Sequence, residues 1–416
     1  MLKNDLLKII NYTIDSVLPE NSVRKNIKKM NILNEKIFLL SIGKAAWRMA
    51  KAAKEELKEN IKSGIVITKY NHNLGDIDSL EIYEAGHPIP DENSIKATKR
   101  VLEIINSLED DFIILFLISG GGSSLFELPE DNISLDEIQY ITHQLLRSGA
   151  NINEINAIRK RLSKVKGGKF ANLVYPKKIK ALVLSDVLGD KLESIASGPA
   201  YKDINSSKKI EDIIKKYNIN VNNSIKKVLF KEPPKNIVNA QHIIIGSVKI
   251  ACEKAFEKAK DLGYNALLLT TSLSCEAKEA GKFFANIALE ELKYNNPIKK
   301  PCAIIAGGET IVNVKGNGLG GRNQELSYSF ALEVEGLKNI AFASVGTDGT
   351  DGPTDAAGGI VDGFTSIKLK TKGLDPYIFL ENNDTYNALE EAGDLLKIGP
   401  TGTNVNDIII LLVGGN

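Results

Sequence analysis

The feature that most limits what this chain can become is a series of wholly apolar segments of strand length set between helical patterns. "KIFLLSIG", "FIILFLIS" and "IKALVLSDV" hardly alternate polar with apolar, so each is expected as a strand buried on both faces. "ENSIKATKRVLEIINSL" and "SLDEIQYITHQLLRSG" repeat their apolar residues at helical spacing, and a further helix is expected from Lys44 to about Asn60. "GIVIT" and "LEIYEAG" are expected as short strands. Strands buried on both faces need helices above and below them, which is the geometry of a parallel α/β sheet.

A chain of 416 residues is too long for one ordinary core, so two domains are expected. Near "YKDINSSKKIEDIIKKYNINVNNSIKKVLFKEPPKN" charge rises, Asn and Lys dominate, and Pro233-Pro234 interrupt the chain. The expected boundary is residue 236, giving domains 1–236 and 237–416. The second would open on the strand–helix–strand "AQHIIIGSVKIACEKAFEKAKDLGYNALLLTTS". "PCAIIAGGETIVNV" is expected as two strands joined by a Gly-Gly turn, followed by the helix "RNQELSYSFALEVE" and the strands "IAFASVG" and "DIIILLV". The polar–apolar alternation of "TIVNVK" implies an antiparallel pair, so the second sheet is expected to be mixed.

Bulk properties narrow the function. Net charge is +1 and no basic block is interleaved with aromatics, which argues against nucleic acid as a partner. Cys252, Cys275 and Cys302 are scattered and odd in number, as expected in a reducing compartment, so a cytoplasmic location is expected. The apolar runs are too short to span a bilayer, so no membrane partner is expected. The N-terminal stretch places Leu6, Ile9, Ile10 and Ile14 on one face, as an amphipathic helix would.

Five segments could carry chemistry. In "KGNGLGGRNQEL", Gly316, Gly318 and Gly321 match G-x-G-x-x-G, the dinucleotide-binding spacing. A dinucleotide turn follows a buried parallel strand and opens an apolar helix. Here the preceding segment alternates, and the helix opens with Arg322, a cation placed where backbone N–H groups already favour anions. Asp348 ends the next strand, about where a ribose-binding acid would stand. In "ISGGGSS", Ser119, Gly120, Gly121, Gly122, Ser123 and Ser124 follow a buried strand, where open α/β sheets bind ligands. The segment is neither a Walker A loop nor a nucleophile elbow. In "SIGKAAWRMA", Lys44 stands at a helix N-terminus against the macrodipole. In "LSDVLGD", Asp186 stands at a strand end, fit for a metal or a proton, with Asp190 and the Ser197 of "SIASGPA" beyond it. In "GTDGTDGPTDAAGG", Asp348, Asp351 and Asp355 lack EF-hand spacing but would suit Mg²⁺ through one or two carboxylates. A solvated hairpin tip at Arg322, a surface lysine at Lys44 and a helix cap at Asp186 remain open alternatives. The four histidines form no metal pair, and "GHPIPDENS" around His87 is expected as a turn before a helix, with no chemistry assigned. Anion-binding loops, two placed cations and strand-end carboxylates together are what phosphoryl transfer needs.

In this order, "SIGKAAWRMA", "GHPIPDENS", "LISGGGSSL", "SDVLGD…IASGP", "GGETIVNVKGNGLGGRNQEL", "SVGTDGTDGPTDAAGGIVD" and "TGTNVNDIII" resemble the glycerate 2-kinase family with its MOFRL C-terminal domain. The resemblance runs from about Lys36 to the end. It implies a Rossmann-like N-terminal domain, a smaller mixed-sheet α/β C-terminal domain, and an active site in the cleft between them. It implies transfer from ATP, with Mg²⁺, to the 2-hydroxyl of D-glycerate, giving 2-phosphoglycerate and ADP. Carried onto this chain, Lys44 and Arg322 would stabilise the transferring phosphate, and Asp186 would be the catalytic carboxylate and metal ligand. The Ser119–Ser124 loop would bind nucleotide or substrate, with Glu309 and Asp348 lining the second domain's share of the site. A homodimer is a candidate assembly. Members of the family have also been labelled hydroxypyruvate reductases, an alternative that the "GNGLGG" match keeps open.

Overall fold

The apolar segments form strands as expected. In the computed structural model, which describes residues 1–415, six of them build one all-parallel sheet. These are β1 (Ile37–Ile42), β2 (Ile61–Lys69), β3 (Leu80–Ala85), β4 (Ile113–Ile118), β5 (Lys178–Leu184) and β6 (Ala240–Gly246), in the order β3-β2-β1-β4-β5-β6. This is the doubly wound Rossmann order, which reverses between β1 and β4. Ile42 is in register with Ile118, so β1 and β4 end level at the reversal. Every residue of β1 and β4 is buried. Below the strand ends Phe116, Phe126 and Phe170 meet edge to face with centroids 5.2–6.1 Å apart, a geometry that adds to their area burial. The helix Glu92–Ser107 starts where the Asp91 carboxylate accepts from the Ser94 N–H and the Ser94 hydroxyl accepts from the Asp91 N–H, a capping box.

The Asn- and Lys-rich stretch before the expected boundary is helical. It holds the helices Ser207–Lys216 and Asn223–Leu229, whose Ile210, Ile213, Ile225 and Leu229 are buried with residues of Leu135–Arg147 and Ile152–Leu162 in a separate apolar cluster. The segment Ala240–Gly246, expected to open the second domain, is instead the sixth strand of the first sheet. The parallel-sheet unit therefore spans Ser22–Ile245, beyond the expected boundary at 236.

The second sheet contains β7 (Asn265–Leu273), β8 (Cys302–Gly308), β9 (Ile340–Gly346), β10 (Gly358–Val361), β11 (Leu395–Leu396) and β12 (Asp407–Val413), in the order β11-β10-β9-β12-β8-β7. Only β7 and β8 run parallel; the remaining neighbours are antiparallel, so the sheet is mixed as expected. The expected hairpin within "PCAIIAGGETIVNV" does not form. After Gly308 the chain stays beside the end of β7, with the Glu309 N–H donating to the Leu273 carbonyl at 2.8 Å and Ile311 bridging to Glu276, but it forms no strand, and Ile311 and Val314 are exposed. Alternation there reflects an open loop, not a half-buried strand.

The amphipathic helix Leu2–Ser16 belongs with this mixed-sheet unit, although it opens the chain. Its Leu6, Ile9 and Ile10 are buried, the Tyr264 hydroxyl donates to Asp5 at 2.9 Å, and Lys3 reaches Asp394 at 2.6 Å. Residues 1–21 thus join residues from 246 onward, where the expected division placed them with the first sheet. Truncating Ile9 to Ala should cost about 2–5 kcal/mol, the usual range for a fully buried Ile. Hydrogen exchange should locate the loss. Faster exchange in the helix Val248–Asp261 and in β12, with β4 unchanged, is expected; a change confined to β4 would contradict the assignment.

Candidate active site

The turns after β1 and β4 interlock. The Lys44 N–H donates to the Gly120 carbonyl at 2.8 Å, and the Ser119 hydroxyl donates to the Ile42 carbonyl at 3.2 Å and accepts from the Ala45 N–H at 3.1 Å. Asp186, two residues beyond β5, comes over the same loop: a Cβ built on Gly120 would lie 2.2 Å from its Oδ2. A Cβ on Gly121 would lie 2.8 Å from His87 Cδ2 and 3.3 Å from Lys44 Cγ. Lys44, Gly120, Gly121 and Asp186 are therefore brought together, and His87 joins them from the turn after β3. Sequence reasoning assigned His87 no chemistry; a lone histidine in a proline-rich turn gave no signal for it.

The loop's hydroxyls divide. Ser119 and Ser124 are buried and bonded to backbone, Ser124 donating to the Gly121 carbonyl at 3.2 Å. They hold the loop's shape. Ser123 is half-buried, with its Oγ 2.7 Å from that of Ser197. Ala196 (φ 49°) and Ser197 (φ 62°) occupy the left-handed region, a conformation costing about 1–3 kcal/mol each for non-glycine residues and found most at functional sites.

Electrostatics set the roles here. Burial raises the Asp186 pKa, with Lys44 opposing, so its carboxylate is a better proton acceptor than a free one. Burial, then the charge of Lys44, pushes His87 down to about 4. It stands as a neutral imidazole at pH 7, a hydrogen-bonding group and not a cation. His72 Nδ1 lies 3.1 Å from the Lys44 carbonyl and steadies the same turn.

The second group lies in the mixed-sheet unit. Asp407, the first residue of β12, is in register with Gly308 of β8 and Gly346 of β9. The antiparallel register thus gathers Glu309, Asp348 and Asp407 at one end of the sheet. Arg322 opens the helix Arg322–Glu333 there, donating from Nε to Asp407 Oδ2 at 2.5 Å and from Nη2 to Oδ1 at 3.0 Å. Its Nη1 is 3.3 Å from Glu309 Oε1, and Asn406 donates to the other Glu309 oxygen at 3.1 Å. Burial works against the guanidinium charge, but Asp407 outweighs it and holds Arg322 protonated. Arg322 is a positioned cation, not the solvated tip the sequence also allowed.

Among the acids of "GTDGTDGPTDAAGG" the structure separates three tasks. The Asp348 Oδ1 accepts from the Thr350 N–H at 3.0 Å and shapes the loop. Asp355 is exposed and pairs with Tyr386 and Lys397. Asp351 is buried beside Arg322's helix. It accepts from the Gln324 N–H at 2.9 Å and lies so close over Gly321 that a Cβ there would fall 2.3–2.5 Å from its carboxyl group. The sequence groups Asp351 with Asp348 and Asp355 as acids suited to Mg²⁺ and gives no sign of Asp407; the burial of Asp351 and the register of Asp407 are announced by no local pattern.

The G-x-G-x-x-G glycines have a structural occupation. A Cβ on Gly316 would lie 2.3 Å from the Asn382 carbonyl oxygen, and one on Gly318 would lie 2.4 Å from Asp384 Cβ. The backbone here is sewn to that loop, with Gly318 N–H donating to the Asn382 carbonyl and Leu319 N–H to the Asp384 carboxylate, both at 2.9 Å. The close approach that glycine permits is to the chain itself.

Burial pushes Asp351 up to about 7. A carboxyl group raised from its unfolded value near 4 favours the native state below that value, and this contribution is lost as pH rises through the folded pKa. Asp351→Asn keeps a side-chain oxygen for the Gln324 N–H. Relative to wild type, it should therefore gain stability between pH 4 and 7, by more than about 1 kcal/mol, in urea melts taken across that range. An unchanging difference would remove Asp351 as a titrating group.

Comparison with known proteins agrees with this architecture. Residues 5–230 match a domain of unknown function, DUF4147, and residues 302–407 match the MOFRL family. A D-glycerate 2-kinase of Thermotoga maritima is 54% identical over 413 residues, covering 99% of this chain and 98% of its own. The crystal structure of a glycerate kinase from that organism superimposes with a TM-score of 0.96, at 54% identity over 99% of each chain. A relative from Agrobacterium vitis, 37% identical over 98% of this chain and 94% of its own, bears a provisional hydroxypyruvate reductase name. With a DUF4147 domain followed by a MOFRL domain and near full-length identity of 54%, the chain belongs to the glycerate 2-kinase family.

Proposed function

We propose that this protein transfers the γ-phosphoryl group of ATP to the 2-hydroxyl of D-glycerate, releasing 2-phosphoglycerate and ADP. The observation that carries the proposal is the convergence of Lys44, the Gly120–Gly121 backbone and Asp186 where the Rossmann-ordered sheet reverses. A phosphoryl group in flight spreads negative charge over its oxygens. Lys44 offers a cation there, and the glycine turn leaves room for anionic oxygens at the backbone. Asp186, made more basic by burial, orients the acceptor hydroxyl and takes its proton. Neutral His87 adds a hydrogen bond without competing for the phosphate charge. Arg322, locked by Asp407 and Glu309, is proposed as a further catalytic cation, one already held in place.

Mg²⁺ is expected with ATP. Asp186 is a lone hard-oxygen donor beside Lys44, and among the described residues no three His, Cys, Asp or Glu side chains gather as a metal cage. That donor set fits a cation bound through one carboxylate and completed by phosphate and water oxygens. When bound, Mg²⁺ would neutralise phosphate charge.

The reductase reading is less well supported. The first turn of the Rossmann-ordered sheet, "SIGKAAW", lacks the dinucleotide spacing, and of the glycines that do match it Gly316 and Gly318 pack against residues 382–384 and Gly321 against Asp351. Protein incubated with D-glycerate, ATP and Mg²⁺ should show 2-phosphoglycerate by phosphorus NMR. A parallel sample with hydroxypyruvate and NADH should keep its absorbance. NADH consumption without a phosphoester would reverse the proposal, and 3-phosphoglycerate would overturn the choice of hydroxyl. Lys44→Ala and Arg322→Ala should each lower kcat/KM by roughly 100-fold or more, about 2.7 kcal/mol of transition-state stabilisation. Near-wild-type turnover in either variant would remove that residue from the mechanism.

A further inference from the structure

A second feature of the parallel-sheet unit is absorbed neither by the phosphoryl-transfer groups nor by the core. Directly after His87 the chain runs through Pro88, Ile89 and Pro90, which form one wall of a cavity of about 410 Å³. The helix Leu135–Arg147 supplies the facing wall with Tyr140 and Leu146, and Arg159 of the helix Ile152–Leu162 closes it. The walls are held together: Gln139 donates from its side-chain amide to the Pro90 carbonyl at 3.1 Å. The volume falls in the range of small-molecule and cofactor sites.

Three observations say what such a cavity would take. Its apolar walls are unusually open for their type, with Ile89, Tyr140 and Leu146 each about 60% exposed (62%, 59% and 59%); a flat, largely apolar ligand would cover them. A guanidinium lines it, that of Arg159, with Asp136 also in the lining, and a guanidinium favours a ligand that brings planar acceptors or negative charge. Its position is continuous with the phosphate loop, because Pro88 is bonded to the residue that packs on Gly121. Neighbouring Cα atoms are about 3.8 Å apart across a trans peptide and closer across a cis one, so the cavity begins within a few ångströms of where the phosphates are proposed to lie.

We infer that this cavity receives the nucleoside of the phosphoryl donor, with the ring between the Pro88–Pro90 turn and Tyr140 and with Arg159 facing its polar edge or first phosphate. This inference rests on the proposed phosphoryl transfer and adds where the donor's specificity is decided. In this arrangement the triphosphate runs from Arg159 past His87 to Lys44, and discrimination among nucleotides resides in the parallel-sheet unit.

The test is calorimetric titration of ADP with Mg²⁺ into the full-length protein, beside steady-state kinetics with ATP. Thr142 also lines the cavity, and Thr142→Trp should fill it. ADP affinity should fall tenfold or more, and the apparent KM for ATP should rise by a similar factor, with the KM for glycerate moving less than twofold. Tyr140→Ala provides a second variant at an exposed position, should the tryptophan disturb folding, and should weaken ADP severalfold. Wild-type protein that binds no ADP, or variants that bind it within twofold of wild type, would overturn the inference. The two proposals separate cleanly. ADP binding lost in Thr142→Trp from a wild type that makes no phosphoglycerate leaves the cavity assignment standing and removes the reaction. Unchanged ADP binding in a variant of an active kinase does the reverse.

Discussion

Two strand ends approach so closely that only a glycine fits between them. A Cβ on Gly43 would lie 2.2 Å from the Ser119 hydroxyl and 2.5 Å from the Ser119 carbonyl oxygen, and Gly43 itself has a φ of 117° that side chains rarely adopt. That contact ties the turn after β1 to the turn after β4. It aims Lys44 at the outer face of the glycine loop and turns Ser119 inward as a fastener. Asp186 and His87 can reach Gly120 and Gly121 only because that loop is already held against β1. Were the two turns to separate, the cation, the backbone amides and the carboxylate would no longer share one place.

The mixed-sheet unit solves a different problem. It opens an almost wholly buried helix with an arginine, and both burial and the helix dipole disfavour a cation there. Asp407 compensates with two hydrogen bonds, Glu309 adds a third contact, and Asp351 accepts from the helix's first turn. The carboxylates exceed the cation they surround, so Arg322 is held by its own chain before any ligand arrives. A preorganised charge of this kind would require little rearrangement to meet the phosphate proposed for it.

Particular residues show where sequence was informative. Lys44, Gly120 and Asp186 were recognisable because each follows a continuous apolar strand, and in a parallel sheet those ends lie on one side. His87 also follows a strand, but its turn crosses toward β4, and nothing local encodes that crossing. The Ser119–Ser124 run was legible as a ligand loop, yet which hydroxyls face inward depended on β1 lying beside it. The Asn- and Lys-rich stretch hid Ile210, Ile213, Ile225 and Leu229 because short amphipathic helices with a charged outer face resemble linkers in composition. The G-x-G-x-x-G spacing was misleading for a physical reason: glycine admits close approach to any backbone, and at Gly316 and Gly318 the backbone is that of residues 382–384.

By itself the sequence determined the alternation of strand and helix, the parallel first sheet, the mixed second one and most of the charged strand ends, because hydrophobic period and strand length are local properties. The tertiary structure decided which unit owns the first helix and the segment from Ala240 to Gly246, which aspartates are buried, and which partners neutralise Arg322. Those outcomes depend on contacts between residues far apart in the chain, such as Asp5 with Tyr264 and Arg322 with Asp407. Their energies come from desolvation and register, which exist only once the sheets have formed.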